Sequence, residues 1–223
     1  YNKDFDMLHG LLESIVKHFS NEYRLLVALN DSPDYYDELK TILDQYPLTY
    51  RIEVNFEELT RPEKETSLFG PRNLKSGWIV QQMLTLLSAR RVETPYYLHL
   101  CSKDRFMSPF ELDRIIIDGK PIVQRETHEW PSDSFNNMEQ FKTFYRNSCK
   151  FFNIDPEEQK YTTIRSITPQ VNKTDSVRQF LDDVEHQGYE IADIIGFNGI
   201  TPEGLCENKT TEYYLYSAWL YSK

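Results

Sequence analysis

The chain has 223 residues, 39% of them hydrophobic and 14% aromatic, and a formal net charge of −10. That length fits one large domain with a sizeable core. The acidic balance disfavours sequence-independent nucleic-acid binding and charge-driven attachment to anionic lipid, both of which need a basic field.

Phe5, Leu8, Leu11, Leu12, Ile15, Val16 and Phe19 fall at helical spacing over residues 4–19, with Asp4 as the N-cap. Leu25–Leu29 is a short apolar run closed by Asn30-Asp31-Ser32-Pro33 and reads as a buried strand. Pro33 opens a helix to about Gln45, which Tyr46-Pro47 stops. Tyr50–Val54 is a second strand, and the polar stretch 56–75, broken by Pro62 and Gly70-Pro71, is a loop. Ser76 caps a helix to about Arg91. Tyr96–Leu100 is a third strand, followed abruptly by polar Cys101-Ser102-Lys103-Asp104. Pro109–Ile117 reads as a short helix, Pro121–Gln124 as a strand after the Asp118-Gly119 turn, and 126–135 as a loop. Phe141–Phe152 is an aromatic-rich helix. Thr174 or Asp175 caps a helix that ends at Gly188. Ile191–Phe197 reads as a strand, and Thr210 or Thr211 caps a final helix through Tyr221.

This alternation predicts one α/β domain over 1–223: a mostly parallel central sheet with helices on both faces. The chain opens at Tyr1 inside a patterned segment, as an excised domain would, with a first strand expected before it. Cys101, Cys149 and Cys206 are far apart and form no CxxC pair, which suits a reducing, cytoplasmic compartment. No run is long enough to span a membrane, and no signal-peptide pattern is present.

The glycine-rich dinucleotide and P-loop fingerprints are absent, as are GxSxG and HExxH. The histidines show no metal-ligand spacing, and His99 reads as a core or face residue of its strand. In open α/β sheets ligands bind beyond the carboxyl ends of the strands, so the polar cluster at 101–104 is where a ligand is expected.

Gly77-Trp78, Gln81-Gln82, Thr94, Tyr96-Tyr97-Leu98, Phe106 and Pro109-Phe110 resemble a little-characterised group of glycosyltransferase-like proteins of the GT-A fold. The closing Thr211-Glu212-Tyr213-Tyr214-Leu215-Tyr216 and the opening Tyr1-Asn2-Lys3-Asp4 resemble elements of the same group. The resemblance implies a Rossmann-like GT-A domain that transfers a sugar from a nucleotide-sugar donor to an acceptor hydroxyl, on a glycan or another molecule. Its alternative is a non-catalytic nucleotide-sugar or glycan-binding domain of the same fold. GT-A enzymes commonly hold Mn²⁺ or Mg²⁺ on a DxD, and hard oxygen ligands suit those ions. Here the acidic positions fall on Cys101 and Lys103, and Asp104 is the one carboxylate left as a metal ligand. Either Lys103 supplies the positive charge and the site is metal-independent, or the site has lost catalysis.

Donor-binding candidates are Tyr1, Asp4, Asp31, Arg72, Lys75, Gln81, Gln82, Ser102, Lys103 and Asp104, with Arg72 and Lys75 named because they precede Gly77-Trp78. General-base candidates are Glu126 and Glu129, which follow the Pro121 strand at its carboxyl end, and Glu212, which matches the family's closing element. Several have a plainer account. Lys103, Arg72 and Lys75 suit solvated loops, Asp31 suits a turn, and Glu212 suits the first turn of a helix.

Overall fold

The computed structural model of the chain describes residues 4–20, 22–29, 33–54, 77–123, 125–127, 138–157, 162–164, 168–195 and 210–223. The chain forms two compact units. The first takes Tyr1–Thr60, Val92–Ile122 and Thr168–Thr174, and the second takes Arg61–Arg91, Val123–Ile167 and Asp175–Lys223.

In the first unit α1 (Phe5–His18) follows the apolar spacing. Asp4 stands at its N-cap position, but its side chain makes no capping bond. β1 (Leu25–Leu29) lies parallel to β2 (Tyr50–Val54), with Leu25 opposite Tyr50 and Leu29 opposite Val54. A 3₁₀ turn, Pro33–Tyr35, and α2 (Tyr36–Leu43) connect them. Parallel neighbours need such a crossover because their ends lie far apart. Phe5, Leu12, Leu29, Leu39, Ile42 and Leu43 form the core of this arrangement. Each contributes about 1.5–3 kcal/mol by leaving water. β3 (Tyr96–His99) pairs antiparallel with β8 (Gln170–Lys173), and β4 (Ile116–Ile117) with β5 (Lys120–Pro121). Thr174 clamps the end of the first pair: its N–H donates to Pro95 O at 2.9 Å and its hydroxyl to Thr94 O at 2.6 Å.

The second unit is built on helices. α3 (Gly77–Leu87) runs into a 3₁₀ turn, Ser88–Arg90, and is followed by α4 (Met138–Phe151), α5 (Thr174–His186), α6 (Ile191–Ile194) and α7 (Glu212–Ser222). β6 (Arg125–Thr127) pairs antiparallel with β7 (Thr162–Ile164), and the Ile164 N–H donates to Ser217 Oγ of α7 at 3.3 Å. Phe144, Tyr145 and Cys149 of α4 pack with Tyr214 of α7. Phe180 of α5 meets Tyr216 and Trp219 of α7 edge-on, at 5.5 and 5.9 Å between centroids. Past the end of α5, Gly188 adopts a φ of +87°, which side-chain-bearing residues avoid. Arg90 anchors the 3₁₀ turn to α5 through Glu185 at 2.8 Å and Asp182 at 3.4 Å.

The expectation of one mostly parallel sheet is corrected. Among the described residues the strands pair only two by two, in four separate sheets, and β1–β2 is the parallel pair among them. Local pairing explains this: β4 to β7 are two or three residues long, too short to carry a shared layer. Pro109–Ile117 is not a helix; a 3₁₀ turn at Leu112–Arg114 leads into β4. Of the strand expected over Pro121–Gln124, Pro121 pairs in β5, Ile122 and Val123 are not strand and Gln124 lies outside the described residues; Glu126 and Thr127 belong to β6 rather than to a loop. The strand expected at Ile191–Phe197 begins as the helical turn α6, because Glu190 and Asp193 form a reciprocal capping box across it. The loop expected at 56–75 lies outside the described residues.

Candidate functional site

The polar segment after β3 is held along one stripe of α1. Met7, Gly10, Ser14 and His18 recur at helical spacing and receive it in order. Arg105 Nη2 donates to Met7 O, the Phe106 N–H to Ser14 Oγ at 3.1 Å, and the Phe110 N–H to His18 O at 2.8 Å. Phe110 then stacks on Phe19 at 4.5 Å between centroids. Gly10 makes the approach possible: a Cβ there would stand 2.7 Å from Arg105 Nη2 and 2.8 Å from its Cζ.

The turn itself is knitted by Asp104. Its N–H donates to Cys101 O at 3.0 Å, while its Oδ2 accepts the Cys101 N–H at 2.8 Å. Its Oδ1 accepts the Thr168 hydroxyl at 3.2 Å. A carboxylate that closes its own turn in this way is a turn-former. Arg105 Nη1 donates to Ser102 O at 2.9 Å and Asp104 O at 2.6 Å. Two of the three charges are therefore occupied within the fold. Lys103 is exposed, and among the described residues its ammonium has no ion-pair partner.

Immediately before the turn lies a polar sheet face. In the β3–β8 ladder Tyr97 is opposite Asn172 and His99 is opposite Gln170. Residues directly opposite share a face and alternate ones repeat it, so these four side chains lie on one side. Leu98 and Val171, with Tyr96 and Lys173, lie on the other. Gln170 and Asn172 are only 3% and 4% exposed. Burial holds the His99 imidazole down to a pKa of about 4, against a smaller opposing pull from the Asp104 carboxylate. His99 is therefore neutral at physiological pH. Tyr97, His99 and Gln170 each have contacts of their own. Among the described residues Asn172 Nδ2 has no hydrogen-bond partner. An unmet buried donor of this kind costs about 1–3 kcal/mol.

The structure places the expected site residues as follows. Ser102, Lys103 and Asp104 share the turn, and Asp4 stands before α1 in the same unit. Gln81 and Gln82 lie on α3 of the second unit, half-buried and buried respectively. Glu126 sits opposite Thr163 in β6–β7, and Glu212 opens α7 at 5% exposure. Both belong to the second unit. Tyr1, Asp31, Arg72, Lys75 and Glu129 lie outside the described residues. Among the described residues no group of three or more His, Cys, Asp or Glu side chains is placed to hold a metal ion. Sequence reasoning missed Thr168, Gln170 and Asn172. Their signal was the polar alternation Gln170, Asn172 around Val171, which is faint without its partner strand.

The resemblance to GT-A glycosyltransferases is overturned. That active site is built on a continuous Rossmann-like sheet, and the described strands form only separate pairs. The sugar-transfer activity and the non-catalytic domain of the same fold both fall with the sheet. No curated protein and no solved structure matches the chain. A family profile described only as "Family of unknown function (DUF6492)" matches residues 1–223, and the chain belongs to that family.

Proposed function

We propose that the first unit binds a small phosphate-bearing molecule at the turn after β3, with Lys103 as its charged contact and Ser102 beside it. One observation carries this reading. The turn is braced by Asp104 and Arg105, whose polar atoms are engaged within the fold, while the ammonium of Lys103 is left to solvent. A braced turn presents that cation with little ordering left to do on binding. In a chain of net charge −10, binding an anion relies on such a local cation.

No bond-making step is attached to this reading. A nucleotide sugar is one ligand of the right charge, and pyrophosphate and a free nucleoside diphosphate are others. Mn²⁺ or Mg²⁺ would be held by one carboxylate together with the ligand's phosphates and would neutralise part of their charge. Asp104 would be that carboxylate, through the lone pairs its oxygens keep beside the bonds from Cys101 and Thr168. A cytoplasmic setting fits the free thiols at Cys101 and Cys149. No helix of the described residues is long and apolar enough to cross a membrane.

The test is calorimetric titration of pyrophosphate, UDP and a UDP-sugar, with and without Mn²⁺, into the full chain and Lys103→Ala. A charge-assisted contact predicts about tenfold or greater weakening in the variant. Equal affinity in the two proteins, or no binding by any of the three ligands, sinks the proposal.

A further inference from the structure

A second feature of the first unit is the polar face of the β3–β8 ladder, which does not include Lys103. Asn172 is directly opposite Tyr97 in the β3–β8 ladder and shares its face with His99 and Gln170. The Asn172 side chain is almost wholly buried, yet among the described residues its Nδ2 donates to nothing. Buried polar groups are normally paired, and those that are not call for a partner or a function. Tyr97, His99 and Gln170 each have interactions of their own.

We propose that this face is a binding subsite for an uncharged carbonyl group of a small molecule, received by the Asn172 amide. Two arguments fix the chemical class. The unmet need is one-sided: Asn172 offers a donor, so the incoming atom must accept. A hydroxyl would bring a proton of its own that needs a further acceptor, whereas a carbonyl oxygen brings none. Charge decides the rest. Lys173, the cation of the strand, alternates to the opposite face. His99 is uncharged at neutral pH, so neither His99 nor Lys173 of this ladder offers a carboxylate buried here a counter-charge, a costly arrangement.

The test uses ¹⁵N-labelled full-length chain and the side-chain carboxamide signals of its proton–nitrogen spectrum. The Asn172 signal is assigned by triple-resonance methods, so no variant is needed for this arm. Cyclopentanone is the carbonyl probe, cyclopentanol the hydroxyl probe and acetate the anionic one. We expect a saturable shift of the Asn172 signal with cyclopentanone, and shifts at least about fivefold smaller with the other two at equal concentration. The near-isosteric variant Asn172→Leu removes the unmet donor. It should raise the thermal midpoint of the unliganded chain by about 2–4 °C and abolish the cyclopentanone response. The proposal is overturned by the absence of a saturable shift, by preference for acetate or cyclopentanol, or by a lowered midpoint in Asn172→Leu. Because the readout is at Asn172, failure here leaves phosphate binding at Lys103 untouched, and the reverse also holds.

Discussion

Replacing Gly10 by alanine separates intrinsic helix preference from tertiary contact. Gly10 is interior to α1, and alanine is the better helix former there by about 1 kcal/mol. On propensity alone Gly10→Ala stabilises the protein. The structure predicts the opposite sign. The new Cβ would lie 2.7 and 2.8 Å from Nη2 and Cζ of Arg105, closer than carbon atoms tolerate, so the guanidinium must swing away. Its hydrogen bonds to Met7 O, Ser102 O and Asp104 O leave with it. Arg105 is exposed. Each bond is therefore worth the low end of the usual range, about 0.5–1 kcal/mol. Together they exceed the propensity gain, leaving a net destabilisation of about 0.5–2 kcal/mol. In an Arg105→Ala background the clash is gone, and the same substitution should then stabilise by about 1 kcal/mol. Urea unfolding of the wild type, both single variants and the double variant reads the sign directly, provided the slope stays constant. If Gly10→Ala stabilises both backgrounds equally, Arg105 does not brace the turn through α1, and the reasoning fails.

Two further outcomes follow from the same contacts. The folded chain holds the His99 pKa at about 4 against an ordinary 6.5, so the unfolded chain takes up the proton first. Stability should therefore fall as pH drops from about 6.5 towards 4, by at most about 3 kcal/mol, and His99→Gln should remove that part of the dependence in urea titrations across the range. In the second unit, Trp219 Nε1 donates to Asp183 Oδ2 at 2.8 Å, and Lys223 Nζ reaches the same oxygen at 2.7 Å. Trp219→Phe should destabilise by about 1–3 kcal/mol through lost packing and a lost charge-assisted bond, read from circular-dichroism melts. An unchanged midpoint would show that this clamp does not hold α7 to α5.

What could be read from the chain followed what was local. Leu25–Leu29 and Tyr50–Val54 were legible residue for residue, because each is a short run bounded by polar or turn residues. α1, α4, α5 and α7 were legible within a few residues from apolar spacing and end signals such as Gly188. β8 was not. Gln170-Val171-Asn172-Lys173 has one apolar residue in four, and its strand character comes from pairing with β3. Ile191-Ala192-Asp193-Ile194-Ile195 carries the apolar content of a buried strand, yet a side-chain capping box at its head winds it into a turn. The polar knot after β3 was legible as an unusual place. Its division of labour was not, because part of what occupies Asp104 and Arg105 comes from Thr168 and Met7, far along the chain.

That division bears on what kind of surface lies beside the turn. Had the Asp104 charge governed its surroundings, it would have drawn a proton onto His99 and raised that pKa. The opposite holds: loss of hydration outweighs the carboxylate, and the imidazole stays neutral. The carboxylate is itself tied into the turn by Cys101 and Thr168. The uncommitted charge of the turn is thus that of Lys103, while His99 on the neighbouring face with Tyr97, Gln170 and Asn172 is neutral. A ligand meeting both would have to be anionic at one end and neutral at the other. A ligand meeting one alone should be blind to substitutions at the other, so Lys103→Ala and Asn172→Leu together report whether the two features serve one molecule.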